Sequence, residues 1–144
     1  MEKLFCKYFA GYNLAYGQAD MARLEVDPVT KKQKPVYRWN DEEATQDIYE
    51  QHLNGEISIG IQPCNEAGLA RFGAIDVDFK DYQDYDRKKF LDTIQKYKLP
   101  LIPILSKSGG MHLYLFLDDY ISAITLRSFL SNLLPLFRLK QDTE

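Results

Sequence analysis

Residues 73–79 read Gly73-Ala74-Ile75-Asp76-Val77-Asp78-Phe79, an apolar run that two aspartates interrupt. Because side chains alternate across a β-strand, the large apolar residues of this run are predicted to share one face and to pack under helices. Asp76 and Asp78 then lie side by side on the opposite face. Aspartate is depleted in strands, so the pair favours a functional site over an ordinary solvated strand face.

Two ionised carboxylates this close repel each other, which raises their pKa values unless a cation lies between them. Hard divalent ions such as Mg²⁺ and Mn²⁺ prefer oxygen ligands. We therefore predict that Asp76 and Asp78 bind Mg²⁺ or Mn²⁺. Nucleases, cyclases and many transferases share the Asp-x-Asp pattern, so this motif alone leaves the reaction open.

A second candidate site lies at a small-residue turn between two predicted strands, Leu101–Ser106 and Met111–Leu117. Gly109 and Gly110 permit positive φ and close approach of the backbone to a ligand. Exposed N–H groups in such a turn, with serine hydroxyls and a lysine, are typical of a phosphate cradle. The predicted nucleotide-binding residues are Ser106, Lys107, Ser108, Gly109, Gly110 and His112. A Gly-Gly turn and a lone histidine are each common structural features, but beside a carboxylate pair they indicate nucleotidyl transfer.

The remaining patterns predict a mixed order of helices and strands, and hence an α+β fold. Asn40 is predicted to cap a helix that runs to Leu53, with Glu43 completing a capping box. The other predicted helices cover residues 1–10, 85–97 and 124–137. The other predicted strands cover residues 22–26, 36–39, 57–61 and 72–79, the first two forming a hairpin.

Composition narrows the class of protein further. The chain has 144 residues and a net charge of −3, which suits one domain and argues against a passive nucleic-acid coat protein. No apolar run approaches the ~20 residues that span a bilayer. Cys6 and Cys64 belong to no metal-binding cluster, so we expect reduced thiols in a cytoplasmic protein with no membrane partner. His52 is interpreted as structural.

The carboxylate strand followed by the segment from Ser108 to His112 resembles the first two motifs of the archaeo-eukaryotic primase superfamily. In that family the first motif ligates metal, and the second contacts the phosphates of the incoming nucleotide. The segment from Gln51 to Pro63 is similar to a stretch that precedes the metal strand in primase-polymerases of phage, CRISPR-associated and related conflict systems. The residues from Phe9 to Tyr16 are a weaker match to the same subgroup.

The resemblance implies an RRM-like palm sheet with helices on one face over residues 56–144, beside a small N-terminal αβ unit over residues 1–55. It implies one primase-polymerase catalytic domain, truncated on its C-terminal side. The implied activity is template-directed primer synthesis or polymerisation of DNA or RNA by a two-metal mechanism, with Asp76, Asp78 and His112 as the catalytic residues. Glu144, or else Asp142, is the implied third metal ligand; a frayed acidic tail is the alternative.

The implied partners are a single-stranded nucleic-acid template and nucleoside or deoxynucleoside triphosphates, with a helicase or CRISPR or phage replication proteins in a larger assembly. The candidate template contacts are Lys31, Lys32, Lys34, Tyr37, Arg38 and Trp39, although a hairpin tip of this kind is more often simply solvated. Two other functions stay open. One is a non-catalytic RRM-like binding module that uses Tyr114 and Phe116, and the other is a two-metal nuclease.

Overall fold

The computed structural model describes residues 2–29, 31, 33–78, 86–106 and 109–139. The chain divides into two compact units, one ending at Ala67 and the other beginning at Gly68. The elements, in chain order, are α1 (Glu2–Tyr8), β1 (Tyr16–Val26), β2 (Gln33–Asn40), α2 (Gln46–Leu53), β3 (Ile59–Gly60), β4 (Leu69–Val77), α3 (Arg87–Tyr97), β5 (Ile102–Leu105), β6 (Met111–Ser122), α4 (Ala123–Leu133) and a 3₁₀ turn (Leu134–Phe137). Helices and antiparallel sheets are mixed, which confirms the predicted α+β class.

The first unit is a three-stranded antiparallel sheet, in the order β2-β1-β3, with α1 and α2 in contact with each other. Its core centres on Tyr16, Ala44 and Tyr49, with Phe5 and Phe9 packed around them. The predicted hairpin is confirmed, but its arms are longer than the sequence indicated. A bulge between Asp20 and Leu24 interrupts the register.

The predicted strand over residues 57–61 is reduced to two residues, Ile59 and Gly60, which pair with β1. The Ala19 N–H also donates to the Ser58 carbonyl at 2.9 Å. Because these bonds join this stretch to β1, the first unit extends to Ala67 rather than ending near residue 55.

The predicted capping box at Asn40 is wrong. Asn40 is the last residue of β2, opposite Tyr16 in the ladder, and its Nδ2 donates to Gln18 Oε1 at 3.0 Å. The helix instead begins at Gln46, with Thr45 at the N-cap position. Asn40 therefore pairs with β1 instead of capping the helix. A capping side chain hydrogen-bonds to the nearby backbone, and such local bonds compete with the backbone pairing of a sheet. The predicted end of the helix is confirmed, since Gly55 has a φ of 77° and its N–H donates to His52 O.

The second unit has the chain order β-α-β-β-α, with its strands arranged β4-β6-β5 and both neighbouring pairs antiparallel. This is the arrangement of the first five elements of a split β-α-β fold. One sheet face carries the core: Ile75 and Val77 of β4 and Leu113 of β6 are almost fully buried. Phe90 of α3 stacks on Phe137 with ring centroids 5.4 Å apart, so α3 and the 3₁₀ turn after α4 pack over the same face.

We predict that Gly11→Ala strongly destabilises the first unit. An added Cβ would lie 2.1 Å from the Gln62 carbonyl oxygen, a backbone atom that accepts a hydrogen bond from the Tyr12 N–H. We expect the free energy of unfolding in urea to fall by roughly 3 kcal/mol, toward the upper end for overpacked sites. The matched control is Gly60→Ala, where no atom lies within 4 Å of the added Cβ. Equal unfolding midpoints for the two variants would contradict the close approach at Gly11.

Candidate functional site

The carboxylate strand has the two faces that the sequence predicted. Ile75 and Val77 are 4% and 0% exposed, whereas the Asp76 side chain between them is 57% exposed. Asp78 directly follows the last residue of β4 and is half-buried. Phe79 lies outside the described residues. The strand thus buries one face in the core and presents Asp76 on the open face of the sheet.

The pairing of β4 with β6 brings the two sequence motifs together. Asp76 lies directly opposite His112 in the ladder, and His112 also lies opposite Ile104 of β5. His112 Nε2 is 3.3 Å from Asp76 Oδ1, and the imidazole side chain is 35% exposed. A carboxylate and an imidazole are therefore in contact on an accessible part of the sheet.

Beyond His112, the open face of the sheet carries a row of aromatic rings that leads away from Asp76. The ring of His112 meets Tyr114 edge-on at 5.9 Å between centroids, and Tyr114 stacks on Phe116 at 5.6 Å. Burial raises the pKa of the Tyr114 phenol, and the negative charge of Asp76 raises it further. Tyr114 therefore remains a neutral hydrogen-bond donor at any physiological pH, close enough to sense the candidate metal ligand.

The small-residue turn is held by its own backbone. Gly109 has a φ of 92°, its N–H donates to Ser106 O at 3.1 Å, and the Ser106 N–H donates to Gly110 O at 3.0 Å. The N–H groups of Ser106 and Gly109 are thus engaged within the turn, so a phosphate here would rely on other donors of the segment. Lys107 and Ser108 lie outside the described residues.

One contact of this turn was missed in the sequence. The Arg87 guanidinium, at the first residue of α3, donates through Nη2 to Gly109 O at 3.0 Å. Twenty-two positions separate the two residues, and no local pattern indicates the contact. The side chain of Asp86, the residue before α3, accepts a hydrogen bond from the Lys88 N–H and caps the helix.

The donor atoms of Asp76 and Asp78 fit a hard divalent cation. Both are carboxylates, which Mg²⁺ and Mn²⁺ prefer, and Mg²⁺ sites commonly use one or two protein carboxylates and complete their shell with water and substrate phosphates. Over the part of the chain that the structure describes, no group of three or more His, Cys, Asp or Glu side chains converges on one point. Glu144 and Asp142, the predicted candidates for a third ligand, lie outside that part.

The basic residues of the β1–β2 hairpin are largely paired within the hairpin. Lys34 Nζ lies 2.6 Å from Asp27, and Arg38 Nη2 lies 2.5 Å from Asp20. Tyr37 and Trp39 are 62% and 52% exposed. Lys31 is exposed in a left-handed conformation, and Lys32 lies outside the described residues. The side chains of Lys34 and Arg38 are 63% and 54% exposed, so the paired cations and the aromatic rings are similarly open to solvent.

His52 has the surroundings of a structural histidine. Its Nδ1 is 3.2 Å from the Ile57 carbonyl oxygen, and its ring centroid is 6.0 Å from that of Phe5. These contacts tie the end of α2 to the chain that follows it and to α1. They match the structural role that we inferred from the sequence.

We predict that Asp76→Asn lowers the pKa of Tyr114 while leaving it above the ordinary value of 10.0, because burial is the larger cause of the shift. The ¹³Cζ resonance of labelled tyrosine, assigned with Tyr114→Phe, measures this in an alkaline titration. Asp119→Asn, which removes an exposed carboxylate elsewhere on β6, is the control and should leave the titration unchanged. An unchanged titration in Asp76→Asn would show that the phenol does not sense that charge.

The same shift has a consequence for stability, because the fold favours the neutral phenol. The contribution of the neutral phenol to the free energy of unfolding is fully present below the pKa that Tyr114 has in the unfolded chain. It is lost as the pH rises through the higher pKa of Tyr114 in the folded state. Tyr114→Phe cannot ionise, so its free energy of unfolding should fall less steeply above pH ~10 than that of the wild type. Parallel urea titrations at several alkaline pH values measure the difference, and identical slopes would contradict the prediction.

Comparison with known protein families agrees with the geometry. The chain matches the family described as the archaeo-eukaryotic primase domain of the TOTE conflict system over residues 7–142. No curated protein matches the chain. Among the residues described, no helix is long and apolar enough to cross a membrane. Because the family match spans nearly the whole sequence, this chain belongs to the archaeo-eukaryotic primase domain family of TOTE conflict systems.

Proposed function

We propose that this chain catalyses template-directed nucleotidyl transfer, as primer synthesis or DNA or RNA polymerisation, by a two-metal mechanism. Membership of the family assigns primase-like nucleotidyl transfer at the level of the superfamily. The observation that carries the finer proposal is the β4–β6 register, in which Asp76 and His112 are directly opposed and 3.3 Å apart. A carboxylate and a potential phosphate ligand are thus adjacent on one accessible face.

In this proposal Asp76 and Asp78 would hold Mg²⁺ or Mn²⁺, which would neutralise phosphate charge and make the 3′-hydroxyl a better nucleophile. The 3′-oxygen forms a bond to the α-phosphorus and loses its proton to solvent, while the bond from that phosphorus to the β-phosphate oxygen breaks and pyrophosphate leaves. Asp76 Oδ1 lies 3.3 Å from His112 Nε2, so Oδ2 would be the oxygen that Asp76 offers to the ion. His112 donates to a phosphate oxygen of the incoming nucleotide, and in its protonated form both ring nitrogens are donors. Ser106 and the turn that follows it lie at the same end of β6 as His112, and we place the phosphate chain there.

The rest of the open face suits the base and sugar of the nucleotide. Tyr114 and Phe116 form a stacked pair. On β5, Ile102 and Ile104 are 53% and 43% exposed, and they lie opposite Tyr114 and His112 in the ladder. Stacking on aromatic rings tolerates every base, as a template-directed enzyme requires. We assign this row to the nucleoside part of the substrate.

The proposed partners are a single-stranded template and (d)NTPs, with a helicase or CRISPR or phage replication proteins in a larger assembly. Within the first unit, the exposed rings of Tyr37 and Trp39 and the exposed guanidinium of Arg38 between them are the best candidates for template contact. Glu144 stays our candidate for a third metal ligand.

A non-catalytic RRM-like binding module is the second candidate function, and the aromatic row on β6 favours it. The exposed carboxylate of Asp76 on the same face counts against it, because an uncompensated negative charge repels nucleic-acid phosphates. The two functions differ in their response to a chelator. A module that needs no metal keeps its affinity when EDTA is added, whereas the proposed enzyme loses nucleotide binding.

We predict that the double substitution Asp76→Ala with Asp78→Ala reduces primer extension by at least about a hundredfold, because electrostatic stabilisation is commonly the largest catalytic contribution. The assay supplies primer, template, (d)NTPs and Mn²⁺, and product length is measured on a denaturing gel. A lengthened product in the wild type supports the polymerase, and a shortened one supports a nuclease. The folded state of the variant should be as stable as the wild type or more so, since two like charges are removed.

The matched control is Asp118→Ala with Asp119→Ala, which removes two exposed carboxylates at the far end of β6 and changes the net charge equally. It should retain wild-type extension. If the Asp76 and Asp78 double variant unfolds, those residues are structural. If it extends primers at the wild-type rate, they do not hold the metals.

We predict that His112→Ala weakens nucleotide binding by about tenfold, the effect of losing one hydrogen bond to a charged group. Calorimetric titration with a (d)NTP and Mn²⁺ measures the dissociation constant. His112→Gln, which retains one side-chain donor, should lie between the alanine variant and the wild type. Unchanged affinity in His112→Ala would remove His112 from the binding site.

A further inference from the structure

Arg87 extends from the first turn of α3 to the turn that follows β5. Its Nη2 donates to Gly109 O at 3.0 Å, and the side chain is otherwise exposed. The backbone beneath it is well anchored. Asp86 caps the helix by accepting from the Lys88 N–H at 2.9 Å, and Phe90 is buried against Phe137. The Arg87 side chain is thus fixed at its backbone by the anchored helix and at its guanidinium by Gly109 O.

The charge of this arginine is not balanced by its contact. A carbonyl oxygen is neutral, so it fixes the direction of the guanidinium without neutralising it. Within the described ranges, no carboxylate lies within ion-pairing distance of Arg87, whereas its neighbours Lys88 and Lys89 are paired with Asp92 and Asp86. A guanidinium has five N–H donors in a planar fork, and the Gly109 carbonyl engages only one of its nitrogens.

We propose that Arg87 binds the phosphate chain of the nucleotide substrate, with its guanidinium oriented by the Gly109 carbonyl. This inference rests on the proposed function of the site and adds a residue to it. His112 follows Gly109 by three positions, at most about 10 Å along an extended chain. One triphosphate can therefore contact His112 through one phosphate and Arg87 through another.

Arginine is well suited to this role because its fork matches two phosphate oxygens at once, and charge-assisted hydrogen bonds are about twice as strong as neutral ones. The contact to Gly109 also restricts the side chain before the substrate arrives, so less conformational entropy is lost on binding. The backbone N–H groups of Ser106 and Gly109 are engaged within the turn. A side-chain cation beside the turn supplies the donors that these groups cannot.

A positioning role is the competing explanation, in which Arg87 only holds the turn in place. Three substitutions separate the two roles. Arg87→Ala removes both the charge and the hydrogen bond to Gly109. Arg87→Gln keeps a neutral amide donor for the carbonyl, and Arg87→Lys keeps the charge without the fork. Lys88→Ala is the matched control, because it removes an exposed cation one position away that is 3.5 Å from Asp92.

The experiment is a calorimetric titration of the full chain and each variant with the mono-, di- and triphosphate of one nucleoside, in the presence of Mg²⁺. We expect Arg87→Ala and Arg87→Gln to lose about tenfold or more in affinity for the triphosphate and less than about threefold for the monophosphate. Arg87→Lys should lie between them and the wild type, and Lys88→Ala should match the wild type. Thermal melts confirm that each variant is folded.

Any of three results from the Arg87 variants would overturn the inference while leaving the proposed function intact. Wild-type triphosphate affinity in Arg87→Ala removes Arg87 from the site. Recovery of affinity in Arg87→Gln, or an equal loss for all three nucleotides, assigns it a positioning role only. A wild-type chain that binds no triphosphate with Mg²⁺ overturns the proposed function, and this inference with it.

Discussion

The register between β4 and β6 is the constraint on which the candidate site depends. Side chains alternate across a strand, so a slip of one residue would turn Asp76 into the core and Ile75 or Val77 toward solvent. Packing opposes that slip. Gly73 faces α4 so closely that a Cβ there would lie 2.9 Å from Leu130 Cδ1, and Leu113, directly opposite Ile75, is fully buried. The core face thus determines which residues the open face presents.

The open face combines charge with partial burial. Asp76 is well exposed, whereas burial and the Asp76 charge together raise the pKa of Tyr114. A divalent cation, which our proposal assigns to this face, would offset the negative charge of Asp76 beside the half-buried phenol. The family of the chain assigns primase-like nucleotidyl transfer at the level of the superfamily, and the contact between Asp76 and His112 is the feature on which our finer proposal rests.

The two units differ in how they use their charged residues. In the hairpin of the first unit, Arg38 and Lys34 are paired with nearby aspartates and remain exposed beside the rings of Tyr37 and Trp39. In the second unit, Arg87 contacts only a backbone carbonyl among the residues described. The second unit thus has a cation beside the turn after β5 and, at the end of β4, the exposed Asp76 and the half-buried Asp78. Our proposal assigns these opposite charges to a metal-bound polyphosphate.

The sequence by itself determined the features that depend on neighbouring residues. Alternation along the strand predicted the buried Ile75 and Val77 and the exposed Asp76 of β4, and the glycines at positions 55 and 109 marked turns with positive φ. Tertiary structure decided the rest. The sequence around Asn40 predicts a helix cap, yet Asn40 is the last residue of β2, because it pairs with Tyr16 of β1. The contacts of Asp76 with His112 and of Arg87 with Gly109 join residues 36 and 22 positions apart. No local periodicity encodes such contacts, since strand register and helix placement are set by how the whole core packs.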